Sequence, residues 1–238
     1  MTMTMIVPTL PTTRTWSPVA AQQQALASVA LIHEIAGFGL HLADDHLADL
    51  RRSGLTDETI ADHRIVTVPP SLIAPLLGYD PKPVRSAYLL ASPGFPNGFY
   101  RLKVFPSYKD YRGGTVKYLQ PPRSGVRLFR PVSSHRHVND SSTPLWIIEG
   151  EKKALAGAQL GLAAIGILGV EGWHLAGHMT LHPDFDAIPL RGRRVELAID
   201  GDIHHNSNVR RAAARLAHAL RMRGAQPRLV MLPDGGSQ

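Results

Sequence analysis

The sequence predicts an α/β fold, with a four-stranded parallel sheet and flanking helices in the C-terminal part and a smaller α+β part before it. The first observation is that short apolar runs alternate with helical patterns, as in strands joined by crossover helices. Four such runs are predicted to be strands: residues 145–148, 163–168, 195–199 and 228–232. The second observation is that two of these runs end in acidic turns, Glu149-Gly150-Glu151 and Asp200-Gly201-Asp202.

Turn and cap residues delimit the helices between these strands. A helix is predicted over residues 151–160, because Gly161 is a typical helix end. A longer helix is predicted to begin at an N-cap, Asn206 or Ser207, and to end at Gly224. Each helix therefore connects two predicted strands, which favours a parallel sheet.

The N-terminal part mixes helical and strand patterns. Residues 1–18 are rich in Thr and Pro and are predicted to be poorly ordered. Helices are predicted at 20–36, 41–52 and 56–62, and strands at 99–104, 116–119 and 126–129. Thr56 is the predicted N-cap of the third helix, and the many prolines and glycines of residues 66–98 predict loops around brief strands. We therefore expect two domains, residues 19–140 and 141–238.

Composition narrows the classes of function. The 238 residues include 26 basic and 19 acidic ones, and the net charge of +7 favours a polyanionic partner, a nucleic acid or nucleotides. The sequence has no Cys, which excludes disulfides, Cys-based zinc modules and thiol catalysis and is compatible with a reducing cytoplasmic setting. It has no long apolar stretch that predicts a membrane helix, so we expect no membrane partner.

The acidic turns predict a cation site. Carboxylates at the carboxyl ends of parallel strands face the crevice where α/β sheets bind ligands. Glu149, Asp200 and Asp202 would meet there, and gathered carboxylates are costly unless a cation neutralises them. Ligands that offer only oxygen favour a hard ion, which we expect to be Mg²⁺, with Mn²⁺ as a substitute. Asp234, after the last strand, is a candidate further ligand.

Simpler interpretations of the same acids stay open. Asp-Gly pairs are common turn formers, so Asp200 and Asp202 also fit an ordinary polar turn. Glu149 fits a metal ligand, a general base, or an acid that stabilises the start of the next helix. Glu151 fits the helix-end role better than a catalytic one.

Basic residues accompany the predicted strands of the N-terminal part. Arg101 and Lys103 alternate on one strand and share a face, which suits contact with successive phosphates. Lys152 stands at the start of a helix, where a cation is slightly unfavourable, and this favours a phosphate partner. For Arg101 and Lys103, a solvated surface position is an equally good interpretation, and for Lys152 solvent exposure is the commoner explanation.

Three motifs together resemble a known family. Glu149-Gly150, Asp200-Gly201-Asp202 and Leu232-Pro233-Asp234-Gly235 follow predicted strands in this order. In this respect residues 145–235 resemble the Toprim domain, a Rossmann-like fold shared by DnaG-type primases, topoisomerases and OLD-type nucleases. The Leu-Pro-Asp-Gly motif resembles the motif found at this place in the primase branch of the family.

The resemblance extends upstream. The segment Lys117-Tyr118-Leu119-Gln120-Pro121-Pro122, with Arg127-Leu128-Phe129 after it, is similar to the segment that precedes Toprim in bacterial primases. Residues 46–68 resemble the front of Toprim-like proteins encoded by plasmids and phages. Two of the motifs depart from the primase pattern: Lys153 stands where primases carry a further acid after the first motif, and His204-His205-Asn206 replaces small residues after the second.

The resemblance implies a primase-type nucleotidyltransferase of a mobile element. It implies Glu149, Asp200 and Asp202 as catalytic acids that bind Mg²⁺, with Asp234 as a further ligand. It implies contacts to nucleic acid or nucleotides by five basic residues: Lys117, Arg101, Lys103, Arg127 and Lys152. The implied partners are a single-stranded DNA template, nucleotides and a separate helicase or replication protein. An OLD-like DNA nuclease and a non-catalytic DNA-binding Toprim protein are the alternatives.

Overall fold

The computed structural model describes residues 42–92, 99–199 and 205–230. The predicted helix at 20–36 and the segment 1–18 lie outside these described residues. Among the helices that are described, none has the length and apolarity needed to cross a bilayer.

The N-terminal part forms an antiparallel sheet with helices around it. Its elements are α1 (Asp44–Arg52), α2 (Asp57–Asp62), β1 (Val66–Val68), α3 (Pro70–Leu77), β2 (Ser86–Ala91), β3 (Tyr100–Lys109) and β4 (Thr115–Leu119). The strands lie in the order β1-β2-β3-β4, each antiparallel to the next. Thr56 caps α2 as predicted, because its side chain accepts a hydrogen bond from the Thr59 amide.

One prediction for this part was wrong. Residues 66–98 were expected to hold only loops and brief strands, but residues 70–77 form α3. Pro70 occupies the first turn, where its missing N–H costs nothing, and Gly78 ends the helix with a φ of 76°. The buried apolar face, Ile73, Leu76 and Leu77, compensates for the interior Pro75.

The C-terminal part contains the predicted parallel sheet. Its elements are a 3₁₀ turn (Val132–Ser134), α4 (His135–Asn139), β5 (Leu145–Glu149), α5 (Glu151–Gln159), β6 (Ala163–Ile167), a second 3₁₀ turn (Pro183–Phe185), β7 (Arg194–Ala198), α6 (Ser207–Met222) and β8 (Gln226–Val230). The strand order is β6-β5-β7-β8, and all three pairings are parallel. The predicted fold class is confirmed.

Two further local predictions, one for α6 and one for the segment that connects the two parts, had different outcomes. Asn206 caps α6 as expected, since its side chain accepts hydrogen bonds from the amides of Asn208 and Val209. The strand predicted at 126–129 was wrong, because only Phe129 pairs, through an isolated antiparallel bridge to Gly166 on β6. The edge of β6 therefore accepts a single residue of the connecting segment.

The hydrophobic core continues across the two sheets. One buried cluster includes Tyr88 and Leu90 from β2 together with Ile148 from β5 and Leu155 from α5. The opposite face of the antiparallel sheet, with Leu102, packs on α3. The domain boundary expected near residue 140 stays a prediction.

Candidate active site

Glu149 ends β5 at the carboxyl edge of the parallel sheet. Its Cα pairs with that of Ile167, and the side chain is half-buried. The next residue, Gly150, has a φ of 94°, and its amide donates to the Ile167 carbonyl oxygen at 2.9 Å. A Cβ at Gly150 would meet no atom of the described residues within 4 Å, its two chain neighbours aside. This edge therefore combines a carboxylate with open space beside a backbone that favours glycine.

Neighbouring strands end at the same edge. Ile148 on β5 pairs with Ala198 on β7, and Ala198 pairs in turn with Val230 on β8. The ends of β7, which is next to β5, and of β8, which lies beyond β7, are therefore at the same edge of the sheet as Glu149. The predicted ligands Asp200, Asp202 and Asp234 themselves lie outside the described residues, so their roles stay predictions. Across residues 42–92, 99–199 and 205–230, no group of three or more His, Asp or Glu side chains could hold a metal ion.

Two ion pairs join the first turn of α5 to the N-terminal part: α5 supplies the acid in one and the cation in the other. We call them the junction pairs, and the place where they lie the junction. Arg101 Nη1 of β3 lies 2.7 Å from Glu151 Oε1, and Lys152 Nζ lies 2.9 Å from Asp49 Oδ2 of α1. The exposed fractions of the four side chains are at most 19%. Glu151 occupies the helix-end position predicted for it, and it also neutralises Arg101.

Asp49 is held ionised by its neighbours. It accepts hydrogen bonds from Lys152 Nζ and, at 2.8 Å, from the Tyr88 hydroxyl. Burial opposes ionisation of Asp49, but these two hydrogen bonds and the charge of Lys152 outweigh it and keep its pKa below the ordinary value. The carboxylate therefore stays charged in its half-buried position.

Arg101 and Lys103 share one face of β3, as predicted, and this face is turned towards the junction. Lys103 is buried, with its Nζ 4.1 Å from the centre of the Phe105 ring and 5.8 Å from that of Tyr118. The Arg101 guanidinium lies 4.8 Å from the Tyr118 ring centre. Burial lowers the pKa of Lys103, and the charges of Lys152 and other nearby cations add to this, while Asp49 opposes it.

The other predicted basic residues lie elsewhere. Lys117 is exposed on β4, and strand alternation places it on the sheet face opposite Tyr118. Arg127 Nη1 lies 2.6 Å from Asp184 Oδ1, and the second oxygen of this carboxylate accepts from the Leu128 amide at 3.1 Å. Arg127 thus ties the connecting segment to the second 3₁₀ turn.

Sequence reasoning missed the acids that neutralise these cations. Asp49 and Lys152 are 103 residues apart, and Arg101 and Glu151 are 50 apart. No local spacing signals either pair, because tertiary folding alone brings the partners together. One hint of such pairs is present in the sequence: Glu151 and Lys152, of opposite charge, are adjacent in the first turn of α5.

Comparison with known proteins supports the fold. Residues 135–238 match the family described as a domain of unknown function (DUF3854). No curated protein matches the chain.

Three solved structures of primases are similar to the chain. A DnaG primase catalytic domain bound to ssDNA shares 20% identity at a TM-score of 0.55, over 91% of this chain and 76% of that one. A primase of Aquifex aeolicus, with its zinc-binding and RNA polymerase domains, shares 15% identity at a TM-score of 0.60, over 90% of this chain and 56% of that one. A DNA primase domain from Pseudomonas aeruginosa shares 18% identity at a TM-score of 0.57, over 87% and 72%. The chain therefore has the fold of DnaG primase catalytic domains.

Proposed function

We propose that the chain is a primase-like Toprim nucleotidyltransferase, which binds single-stranded DNA and Mg²⁺ and synthesises primers in the replication of a mobile element. The observation that supports this proposal is that Glu149 lies on a DnaG-like sheet, at the same edge as the ends of β7 and β8, the strands that precede Asp200 and Asp234 in the sequence. A separate helicase or replication protein as partner, and a cytoplasmic location, belong to the same proposal.

The candidate metal ligands suit a hard divalent ion. Glu149, Asp200, Asp202 and Asp234 offer only carboxylate oxygens, which Mg²⁺ and Mn²⁺ prefer. Gly150 has no side chain, and among the described residues nothing but its chain neighbours lies within 4 Å of where its Cβ would be, which supports close approach of a phosphate to the backbone here. When bound, the ion would neutralise the triphosphate and the leaving pyrophosphate. Glu149 has a second candidate role, as the base that accepts the proton of the attacking 3′-hydroxyl.

Lys103 and Lys117, on the two faces of the N-terminal sheet, are the first candidates for contact with the nucleic acid or nucleotide. Lys103 lies against the Phe105 ring, and burial lowers its pKa. The charged form of Lys103 is therefore disfavoured in the free protein, and a bound phosphate would stabilise it. Lys117 is exposed on the neighbouring strand. Arg101, Lys152 and Arg127 already contact carboxylates of the protein. We therefore propose that their main role is structural and that contact with the ligand is a secondary role.

Primer synthesis tests the proposal. Purified protein is incubated with single-stranded DNA, ribo- or deoxynucleoside triphosphates and Mg²⁺, and the products are resolved on a denaturing gel. We expect template-dependent oligonucleotides from the wild type and none from Asp200→Ala. DNA degradation without nucleotides, lost in Asp200→Ala, would instead indicate the OLD-like nuclease. DNA binding with neither activity, unchanged by Asp200→Ala, would indicate the non-catalytic Toprim protein.

A further inference from the structure

The hairpin between β3 and β4 presents an aromatic ring to solvent. We call residues 109–115 the β3–β4 tip. Tyr111 is 88% exposed, more than any other large hydrophobic or aromatic side chain of the described residues. The Arg112 guanidinium lies 5.0 Å from the centre of its ring. A ring in this position contributes nothing to the hydrophobic core.

The loop that carries Tyr111 is built to keep a fixed shape. The Asp110 amide donates to the Gly114 carbonyl oxygen at 2.9 Å, and the Gly113 amide donates to the Asp110 carbonyl oxygen at 3.0 Å. The Asp110 carboxylate accepts from the amides of Arg112 at 2.9 Å and Gly114 at 2.8 Å. The ring is thus displayed on an ordered turn, which lowers the conformational entropy lost on binding.

The charge of the β3–β4 tip suits a polyanion. Lys109 and Arg112 lie on the tip, and Lys117 follows on β4. The one carboxylate of the tip, Asp110, accepts hydrogen bonds from two backbone N–H groups through Oδ1, and Lys109 Nζ donates to the Thr115 hydroxyl at 2.7 Å. Cations around an exposed aromatic ring are the combination that binds single-stranded nucleic acid, where phosphates meet the cations and unpaired bases stack on the ring. Paired bases are not open to such a stack.

We propose that the β3–β4 tip is a further contact for single-stranded nucleic acid, with Tyr111 stacked on an unpaired base and Arg112 and Lys109 beside its phosphates. From the tip, β4 runs past Lys117 to Tyr118, which faces Lys103 at the junction. The strand thus connects the tip to the candidate active site. This inference rests on the proposed function in one respect: the proposed function supplies the class of ligand, single-stranded nucleic acid.

Binding without catalysis tests the stack. The full chain is titrated into a fluorescent oligothymidine without Mg²⁺ or nucleotides. We expect Tyr111→Ala to weaken binding about tenfold, as for the loss of one base stack, and Tyr111→Trp to retain it. Leu160→Ala is the matched control, since Leu160 is 78% exposed on another part of the surface, and it should bind as the wild type does. An oligonucleotide that carries 2-aminopurine should show fluorescence quenching with the wild type and less with Tyr111→Ala.

Salt dependence tests the phosphate contact. Loss of one phosphate contact to a single strand lowers the slope of log K against log salt by about 0.7. We expect this change for Arg112→Ala. Arg221→Ala, which removes an exposed cation at the end of α6, is the control and should leave the slope unchanged.

Three outcomes would overturn the inference. Tyr111→Ala could bind single strands as tightly as the wild type, or it could lose affinity equally for single and double strands. Light scattering could also show that Tyr111→Ala changes only the oligomeric state, which would make the ring a protein contact. Primer synthesis separates the two proposals: Tyr111-dependent binding without synthesis leaves the β3–β4 tip assigned and removes the primase function.

Discussion

The junction and the β3–β4 tip carry cations in opposite environments. At the junction, Arg101 and Lys152 are half-buried and each contacts a carboxylate of a distant segment. On the tip, Arg112 lies beside an exposed ring, and the nearby carboxylate of Asp110 is occupied by the backbone. The basic residues therefore differ in their surroundings: the junction pairs join α5 to the N-terminal part, whereas Arg112 is exposed on the tip.

The largest expected effect on stability is the loss of one partner at the junction. Glu151→Ala leaves the half-buried Arg101 without its carboxylate, and we expect the free energy of unfolding to fall by about 3 kcal/mol. Urea denaturation measures this. Arg101→Met combined with Glu151→Leu should recover most of the loss, because no charge is then left unpaired.

An exposed ion pair provides the control for this effect. Arg51 and Asp57 lie 2.6 Å apart but are more than half exposed. Arg51→Ala should leave the urea midpoint close to that of the wild type. Equal losses in Arg51→Ala and Glu151→Ala would contradict the special role of the junction.

A smaller loss of stability is expected from a substitution at Gly150, which lies between Glu149 and α5. Gly150 has a φ of 94°, so Gly150→Ala strains the turn by about 1–2 kcal/mol. Because this turn connects Glu149 to α5, primer synthesis should fall more than stability predicts. A variant with wild-type activity would show that the turn does not position Glu149.

The junction also predicts a pH dependence. The pKa of Asp49 is lowered in the folded protein, so its contribution to stability is complete above the unfolded pKa of about 4 and is lost as pH falls through the folded pKa. Asp49→Asn should therefore be less stable than the wild type at neutral pH, and the difference should shrink below pH of about 4. Urea midpoints across this range measure it, and a constant difference would contradict the assignment.

The smallest effect on stability is expected at the tip. Tyr111→Ala and Arg112→Ala should change the free energy of unfolding by less than about 0.5 kcal/mol, because neither side chain packs in the core. Thermal denaturation checks this. A loss as large as that of Glu151→Ala would mean that the tip is structural.

Periodicity predicted much of the fold because the C-terminal strands are buried and the helices between them have clear caps. The apolar run that became β5 and the Asn206 cap of α6 are local signals. Helix α3 was missed because its prolines suggested a loop, whereas burial of Leu76 and Leu77 decides the outcome. Propensity is a weak guide where tertiary packing is strong.

The candidate site was predictable only in part. Glu149 lies at a strand end, as its motif indicated, because strand ends are local features. The junction pairs were not predictable, since Asp49 and Lys152 meet only after the two sheets have packed together. The tip depends on the exposure of Tyr111, and sequence alone does not distinguish an exposed tyrosine from a buried one such as Tyr88.

Metal binding tests the central claim most directly. A crystal soaked in Mn²⁺ should show anomalous density between the carboxylates of Glu149, Asp200 and Asp202, and a crystal of Asp200→Ala should show none. Carboxylates that lie far apart, or density that is unchanged in Asp200→Ala, would contradict a divalent-ion site at the carboxyl edge of the parallel sheet.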